Sequence, residues 1–108
     1  MPHYMVQAAY TSESWGTQVA NPQNVIDRIS PVMSQFGGKL ESAYYAFGEY
    51  DAVLIGEFPD NTSAAALSLA VTAGGAIKNF KTTPLMTVEE GMEAMRKAGG
   101  SGYRPPGA

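Results

Sequence analysis

Two apolar runs with a short polar break between them form the clearest hydrophobic pattern in the chain. Residues 43–47 and 52–58 flank Gly48-Glu49-Tyr50-Asp51, a pattern typical of a β-hairpin. The glycine is expected to supply a φ that other residues resist. Residues 52–56 are apolar at nearly every position, so the second run is predicted to be a central strand buried on both faces.

The N-terminal third predicts a strand, a loop and a helix. Residues 3–10 are aromatic, β-branched or small and read as the first strand. A loop containing Trp15-Gly16 follows, and Asn21-Pro22 then resembles a helix cap with proline in the first turn. Apolar residues recur at helical spacing up to the glycine pair at 37–38. Pro31 inside this helix predicts a kink or a division into two short helices.

The remaining chain predicts two more strands and two more helices. Residues 39–47 form the second strand, and residues 76–86 form a fourth strand in which Pro84 belongs at an edge because it cannot donate to a ladder. Between the hairpin and the fourth strand, an alanine-rich helix over 62–73 follows a cap at Asp60 or Asn61.

The C-terminal region predicts one further helix and a tail. Thr87-Val88-Glu89-Glu90 has the spacing of a capping box, and Val88, Met92 and Met95 form an apolar stripe. Residues 99–108 are rich in glycine and proline and have no core-forming pattern. We therefore expect one domain over residues 1–98 followed by a flexible tail.

The order β-α-β-β-α-β-α predicts the fold class. It matches an α+β, ferredoxin-like βαββαβ unit with an added C-terminal helix, in which two helices cover one face of a four-stranded antiparallel sheet. The strands carry apolar residues on both sides, so the second face also needs a cover. A second copy packed sheet to sheet would supply it and form a dimeric α+β barrel.

Composition excludes several classes of function. The chain has 108 residues, a pI near 4.9 and seven unclustered Lys and Arg, which argues against nucleic-acid binding. It has no cysteine, so disulfides, thiolate metal sites and cysteine nucleophiles are excluded. No segment resembles a signal peptide or a membrane span, so we expect no membrane association and a cytoplasmic location. Charged residues make up only 16%, as expected if a partner covers part of the surface.

Several motifs together resemble one family. These are Met-Pro-x-Tyr at the start, Gly-Gly-Lys-Leu at 37–40, Tyr-Tyr-x-x-Gly-x-Tyr-Asp at 44–51 and Thr-x-Glu-Glu at 87–90. Over about residues 2–97 the chain resembles the GYD-domain family, small bacterial and archaeal proteins of the dimeric α+β barrel superfamily. The resemblance implies the fold and a homodimer, or a higher homo-oligomer, but no common activity.

The hairpin also resembles that of the effector domain in leucine-responsive transcription regulators. The equivalent turn there lies near small-molecule sites between subunits, but this chain carries no helix-turn-helix. Trp15-Gly16, Pro31 and the tail depart from the pattern.

Candidate chemical residues are few. His3 is the only histidine; a metal site would need it together with carboxylates such as Glu41 or Glu57, which the spacing does not support, so we expect no metal and no cofactor. Asp51 is expected to accept N–H bonds within the turn. The candidates for catalysis are His3, Tyr10, Tyr45, Asp51 and Lys81, and those for ligand contact are Tyr50, Tyr44 and Glu57.

Three functional hypotheses stay open. The first is a homodimeric module that binds a small organic molecule and has no assigned activity. The second is a cofactor-independent enzyme of the monooxygenase, isomerase or decarboxylase type, acting on a small aromatic or carbonyl compound, as occurs in proteins that resemble this architecture. The third is an oligomeric interaction protein.

Overall fold

A computed structural model describes residues 1–107 as a four-stranded sheet with four helices. The elements are β1 (His3–Tyr10), α1 (Ser12–Ala20), α2 (Val25–Gln35), β2 (Lys39–Tyr45), β3 (Ala52–Glu57), α3 (Asn61–Ala73), β4 (Ile77–Leu85) and α4 (Val88–Gly99). The strands lie in the order β2-β3-β1-β4, and every neighbouring pair is antiparallel. The predicted α+β, ferredoxin-like order is confirmed, with an additional helix in the first crossover.

That additional helix, α1, corrects the loop expected around Trp15-Gly16. Thr11 caps it by accepting a hydrogen bond from the Ser14 backbone N–H at 3.1 Å. The segment is mostly polar and places Gly16 in mid-helix, which costs about 1 kcal/mol relative to alanine, so no apolar stripe marks it as helical. The indole of Trp15 packs edge to face on Tyr10 and compensates for the weak local propensity.

The second helix, α2, begins later than expected and is continuous. Asn24, rather than Asn21, caps it, accepting from the Ile26 N–H at 2.9 Å, while Asn21 ends α1. Pro31 lies inside a single helix and does not divide it. Gly37, at φ +78°, ends the turn after α2, and the Gly38 N–H returns to the Met33 carbonyl.

The loop between β2 and β3 differs from the predicted tight turn in its length and in its contacts. β2 ends at Tyr45 and β3 begins at Ala52, so the connection is longer than a tight turn. Gly48 does not adopt a positive φ, which corrects the expected role of that glycine. Asp51 makes no Asx-type contact inside the turn; its backbone N–H donates to the Ala8 carbonyl on β1, and its carbonyl accepts from Ala46. The loop is therefore anchored to its neighbouring strand.

One face of the sheet, called the covered face, packs against α2 and α3. Cross-strand pairing places Ala43, Leu54, Val6 and Thr82 in one row on this face. The core is made of buried side chains from both layers: Tyr4, Val6, Val25, Met33, Leu54, Phe58, Ala64 and Leu67. Gly56 lies under α2, where a Cβ would stand 2.6 Å from Met33 Cε. Helix and sheet thus approach closely because position 56 has no side chain.

The opposite face, called the open face, has no covering layer. It presents His3, Met5 and Gln7 of β1, each half-buried, beside Val53, Ile55 and Glu57 of β3. The alternation along β3 is strict, so the expected burial of both of its faces is not seen within a single chain. β4 is an edge strand, as Pro84 predicted.

Helix α4 lies apart from the core. The predicted capping box is present, with the Glu90 N–H donating to Thr87 Oγ1 and the Thr87 N–H donating to Glu90. No side chain of α4 is buried, and its apolar stripe of Val88, Met92 and Met95 is exposed. The radius of gyration is 17.3 Å, against about 13 Å expected for a compact domain of this length. A helix with no buried side chain contributes to this elongated shape.

Within residues 1–107, no helix is both long enough and apolar enough to cross a lipid bilayer.

Candidate functional site

A cavity of about 310 Å³ lies between the covered face and the helices. Its floor is β1, β3 and β4, and its walls are α2 and α3. The lining is almost entirely apolar, and the polar side chains on it are Tyr10, Ser14 and Arg28. The apolar lining residues are Val6, Ala8, Val25, Ile29, Val32, Ala52, Leu54, Leu67, Ala70, Val71, Ala76, Ile77 and Phe80, together with Gly74.

Tyr10 and Arg28 form the polar edge of this cavity. An Arg28 guanidinium N–H donates to the Tyr10 hydroxyl oxygen at 3.2 Å, and a second donates to Gln23 Oε1 at 2.7 Å. The guanidinium carbon also stands 5.9 Å from the centre of the Tyr10 ring. Arg28 is otherwise exposed, so its position is set by Tyr10 and Gln23.

Burial raises the pKa of Tyr10, and the nearby Arg28 cation opposes that shift only in part. The hydroxyl therefore stays protonated at neutral pH and can donate a hydrogen bond to a ligand in the cavity.

Asp51 fixes the position of Tyr10 through the Tyr10 backbone and through Trp15. Its Oδ2 accepts from the Tyr10 backbone N–H at 2.9 Å and from Trp15 Nε1 at 3.2 Å. The hairpin carboxylate thus joins β1 to α1, two elements that are distant from it in sequence. Because these two donors occupy Oδ2, the role that the structure gives to Asp51 is to position Tyr10 and Trp15.

Tyr45 also lies on the covered face and contacts the start of α2. Its hydroxyl donates to the Gln23 carbonyl at 2.7 Å and accepts from the Val25 N–H at 3.1 Å. It satisfies a backbone donor in the first turn of α2 and so acts as a cap from another strand. Tyr10, Tyr45 and Asp51 therefore come together near one end of the cavity, linked through α1 and α2.

A polar cleft continues from the cavity past Ser14, Arg28 and Gly74. It is lined further by α1 and by the chain on either side of it, with the side chains of Thr11, Glu13, Thr17, Gln18 and Gln23. Arg28 thus stands between an apolar compartment and a polar one.

The other predicted residues lie on the open face or at the hairpin. Tyr50 and Lys81 line a shallow groove with Gln7 and Val53, beneath the hairpin loop. Tyr44 is exposed on β2, opposite Val53. The sheet separates Lys81 and Tyr50 from the cavity, so the five catalytic candidates do not meet at one place.

His3 lies in a separate cluster with Glu41 and Glu57. His3 Nδ1 is 2.7 Å from Glu41 Oε1, and His3 Nε2 is 3.7 Å from Glu57 Oε1. One potential ligand atom from each residue falls within 4.8 Å of the others, a spacing at which they could hold a metal ion. The three come from β1, β2 and β3, and only strand pairing brings them together.

Arg28 was not among the candidates drawn from the sequence. Its position in the predicted helix could have indicated it. Arg28 lies beside the stripe of Val25, Ile29 and Val32, and a cation at the border of an apolar face can reach a cavity.

Comparison with known proteins supports the family resemblance. The GYD domain family matches residues 4–95. A solved structure described as "crystal structure of FFRP-DM1" has a TM-score of 0.49 and 14% identity, covering 80% of this chain and 100% of that chain. None of the curated protein sequences matches this chain. Because the family match spans most of its length, the protein belongs to the GYD domain family.

Proposed function

We propose that this protein is a homodimeric module that binds a small molecule in the cavity between the covered face and the helices. The observation that carries the proposal is the apolar cavity with the Tyr10–Arg28 pair at its edge. Ligand sites are typically concave, mostly apolar and supplied with a few polar groups, and span roughly 300–1,000 Å³. A cavity of about 310 Å³ suits a ligand at the small end of that range.

The edge residues suggest the chemistry of the ligand. An apolar body would fill the space between Val6, Leu54 and Val71, while an acidic group would face Arg28. A guanidinium supplies two parallel donors to a carboxylate, and Tyr10 offers a further donor. The adjoining polar cleft leaves the acidic group room to stay hydrated. A small aromatic or aliphatic acid meets these requirements.

Binding is favoured over catalysis by the distribution of the candidates. Tyr10 and Tyr45 lie on the covered face, whereas His3 and Lys81 lie on the open face. A mechanism that used His3 as a base for a ligand in the cavity would need proton transfer across the sheet.

The homodimer is supported by the surfaces left uncovered in one chain. Met5, Ile55 and Leu85 are half-exposed on the open face, and α4 holds its apolar stripe away from its own core. A second copy placed against the open face would cover the sheet and give α4 a surface to pack against.

A fluorescent probe with an apolar body and an acidic group tests the binding proposal. We expect 8-anilinonaphthalene-1-sulfonate to bind with one site per chain and to be displaced by decanoate. Arg28→Met should weaken its binding about tenfold, the effect of one lost charge-assisted hydrogen bond. Arg96→Met is the matched control, because Arg96 is exposed on α4 and pairs only with Glu93 there.

A second pair of variants addresses the cavity itself. Ala70 lines the cavity and Ala65 does not, although both are exposed on α3. Ala70→Phe should abolish probe binding, and Ala65→Phe should leave it unchanged. Equal binding by both variants, or a loss in Arg96→Met as large as in Arg28→Met, would refute the site.

A further inference from the structure

We infer that His3, Glu41 and Glu57 on the open face form a binding site for a divalent transition-metal ion. The inference depends on the geometry within one chain and does not use the cavity, and in the proposed dimer the second copy would lie against the same face. We call these three residues the His3 cluster.

Glu41 orients the imidazole. The 2.7 Å separation between His3 Nδ1 and Glu41 Oε1 is that of a hydrogen bond donated by Nδ1–H to the carboxylate. A carboxylate in this place fixes which ring nitrogen carries the proton. Nε2 is then the nitrogen with a free lone pair.

That lone pair faces a second carboxylate. Glu57 Oε1 stands 3.7 Å from Nε2, too far for a good hydrogen bond between the two atoms. Two acceptors directed at each other repel unless a cation lies between them. The cation is either an additional proton on the ring or a metal ion.

The distance fits a metal ion. With metal–nitrogen and metal–oxygen bonds of about 2.0–2.1 Å, a 3.7 Å separation corresponds to an angle of about 125° at the metal. A shift of roughly 0.3 Å would bring it to the tetrahedral value under the same bond lengths. The arrangement repeats a recurring pattern, in which a carboxylate holds a histidine whose other nitrogen binds the metal.

The sheet builds this arrangement by an irregularity in β2. Leu40 pairs with Gly56 and Ser42 with Ile55, so Glu41 is an additional residue without a partner on β3. Bulges of this kind redirect a side chain, and here the Glu41 carboxylate reaches past β3 to His3 on β1.

The local charge also favours a cation. Within residues 1–107, neither Glu41 nor Glu57 has a lysine or arginine nitrogen within 4.0 Å, although Lys39 lies opposite Glu57 in the strand pairing. Both carboxylates are only partly exposed, at 35% for Glu41 and 24% for Glu57. Mixed nitrogen and oxygen ligands suit Zn²⁺ and Co²⁺ better than Mg²⁺ or Ca²⁺.

Metal titration of the full chain without an affinity tag tests the site. Co²⁺ is followed by its visible absorption, and Zn²⁺ by calorimetry and by displacement of Co²⁺. We expect one ion per chain, with binding reduced at least about tenfold in His3→Ala and Glu57→Gln. Glu41→Gln should reduce the affinity about tenfold while leaving the Co²⁺ spectrum similar, because that residue positions His3.

Glu49→Gln is the matched control, since Glu49 is an exposed hairpin carboxylate outside the cluster. It should bind both ions as the unaltered chain does. Circular dichroism of each variant shows that the fold is retained, and the titration of the unaltered chain stands independently of any variant. No binding of either ion at about 1 mM, a concentration that would detect even a weak site, overturns the inference. An equal loss in Glu49→Gln also overturns it, because that result indicates non-specific attraction to surface carboxylates.

Discussion

The covered and open faces of the sheet use the same strands for different kinds of chemistry. On β3, Leu54 points into an apolar core shared with α2 and α3, while Ile55 points to a face with no second layer. The covered face encloses a cavity whose polar groups lie only at its edge. The open face carries charged side chains in a row at one end and apolar side chains in the middle. The sheet therefore keeps the proposed ligand site and the proposed metal site physically separate.

The largest expected effect is on the stability of the fold, and it follows from a substitution on the covered face. Leu54→Ala should lower the free energy of unfolding by about 2–5 kcal/mol, because it removes a buried side chain and leaves a larger cavity. Leu69→Ala is the control, since Leu69 is exposed on α3, and it should change stability by less than about 0.5 kcal/mol. Urea denaturation measures both, and similar values for the two would contradict the assignment of the core.

A substitution on the open face should change the association of two chains and not the stability of the fold. Ile55→Lys places a charge in the middle of the proposed interface and should raise the dimer dissociation constant roughly 100-fold, because an unpaired charge is costly to bury. Leu69→Lys, on the outer surface of α3, should leave association unchanged. Sedimentation equilibrium distinguishes the two, and a protein that is monomeric before any substitution would refute the dimer.

Two glycines test how closely each region is packed. Gly56→Ala should cost about 1–3 kcal/mol, because the new Cβ would meet Met33 and the Lys39 carbonyl at under 3 Å. Gly48→Ala should be nearly neutral, within about 0.5 kcal/mol, since it has open space and an ordinary φ. Thermal unfolding of both variants provides the measurement. A larger loss at Gly48 would restore the turn requirement that the sequence predicted.

The smallest effect concerns the alkaline stability contributed by Tyr10. Burial raises its folded-state pKa above the ordinary value of 10.0, so the folded protein holds this proton more tightly than the unfolded chain does. The contribution is complete below pH 10 and is lost as pH rises from there through the folded pKa. Tyr10→Phe should therefore flatten the decline of the melting temperature above pH 10, and an unchanged slope would contradict burial as the cause.

Much of the fold was predictable because it depends on local patterns. The run of aromatic, β-branched and small residues over 3–10 identifies β1, Thr87 and Glu90 have the spacing of a cap, and Pro84 identifies an edge. Each of these signals lies within a few residues of the element that it describes. The order of the elements then predicted the arrangement of the sheet, and the family resemblance agreed with it.

The parts that could not be predicted depend on long-range contacts. Helix α1 has a polar sequence with Gly16 inside it and is held by Thr11 and by Trp15 against Tyr10. The side chain of Asp51 was expected to serve its own turn, but it binds groups 36 and 41 residues away.

The His3 cluster shows the same limitation at a candidate site. Its members are far apart in the sequence, and the pairing of β2, β3 and β1, with the irregularity at Glu41, brings them together. The spacing of these residues along the chain predicts neither the strand register nor the irregularity at Glu41.

Helix α4 has a consequence for how the chain acquires its full structure. It has 12 residues and buries none of its own side chains, and isolated helices of that length are marginal in water even with good caps. In the proposed dimer, packing of Val88, Met92 and Met95 on the second copy would supply the missing stabilisation. Dilution would then unfold α4 before the sheet. The helical content of the protein would therefore fall as its concentration falls.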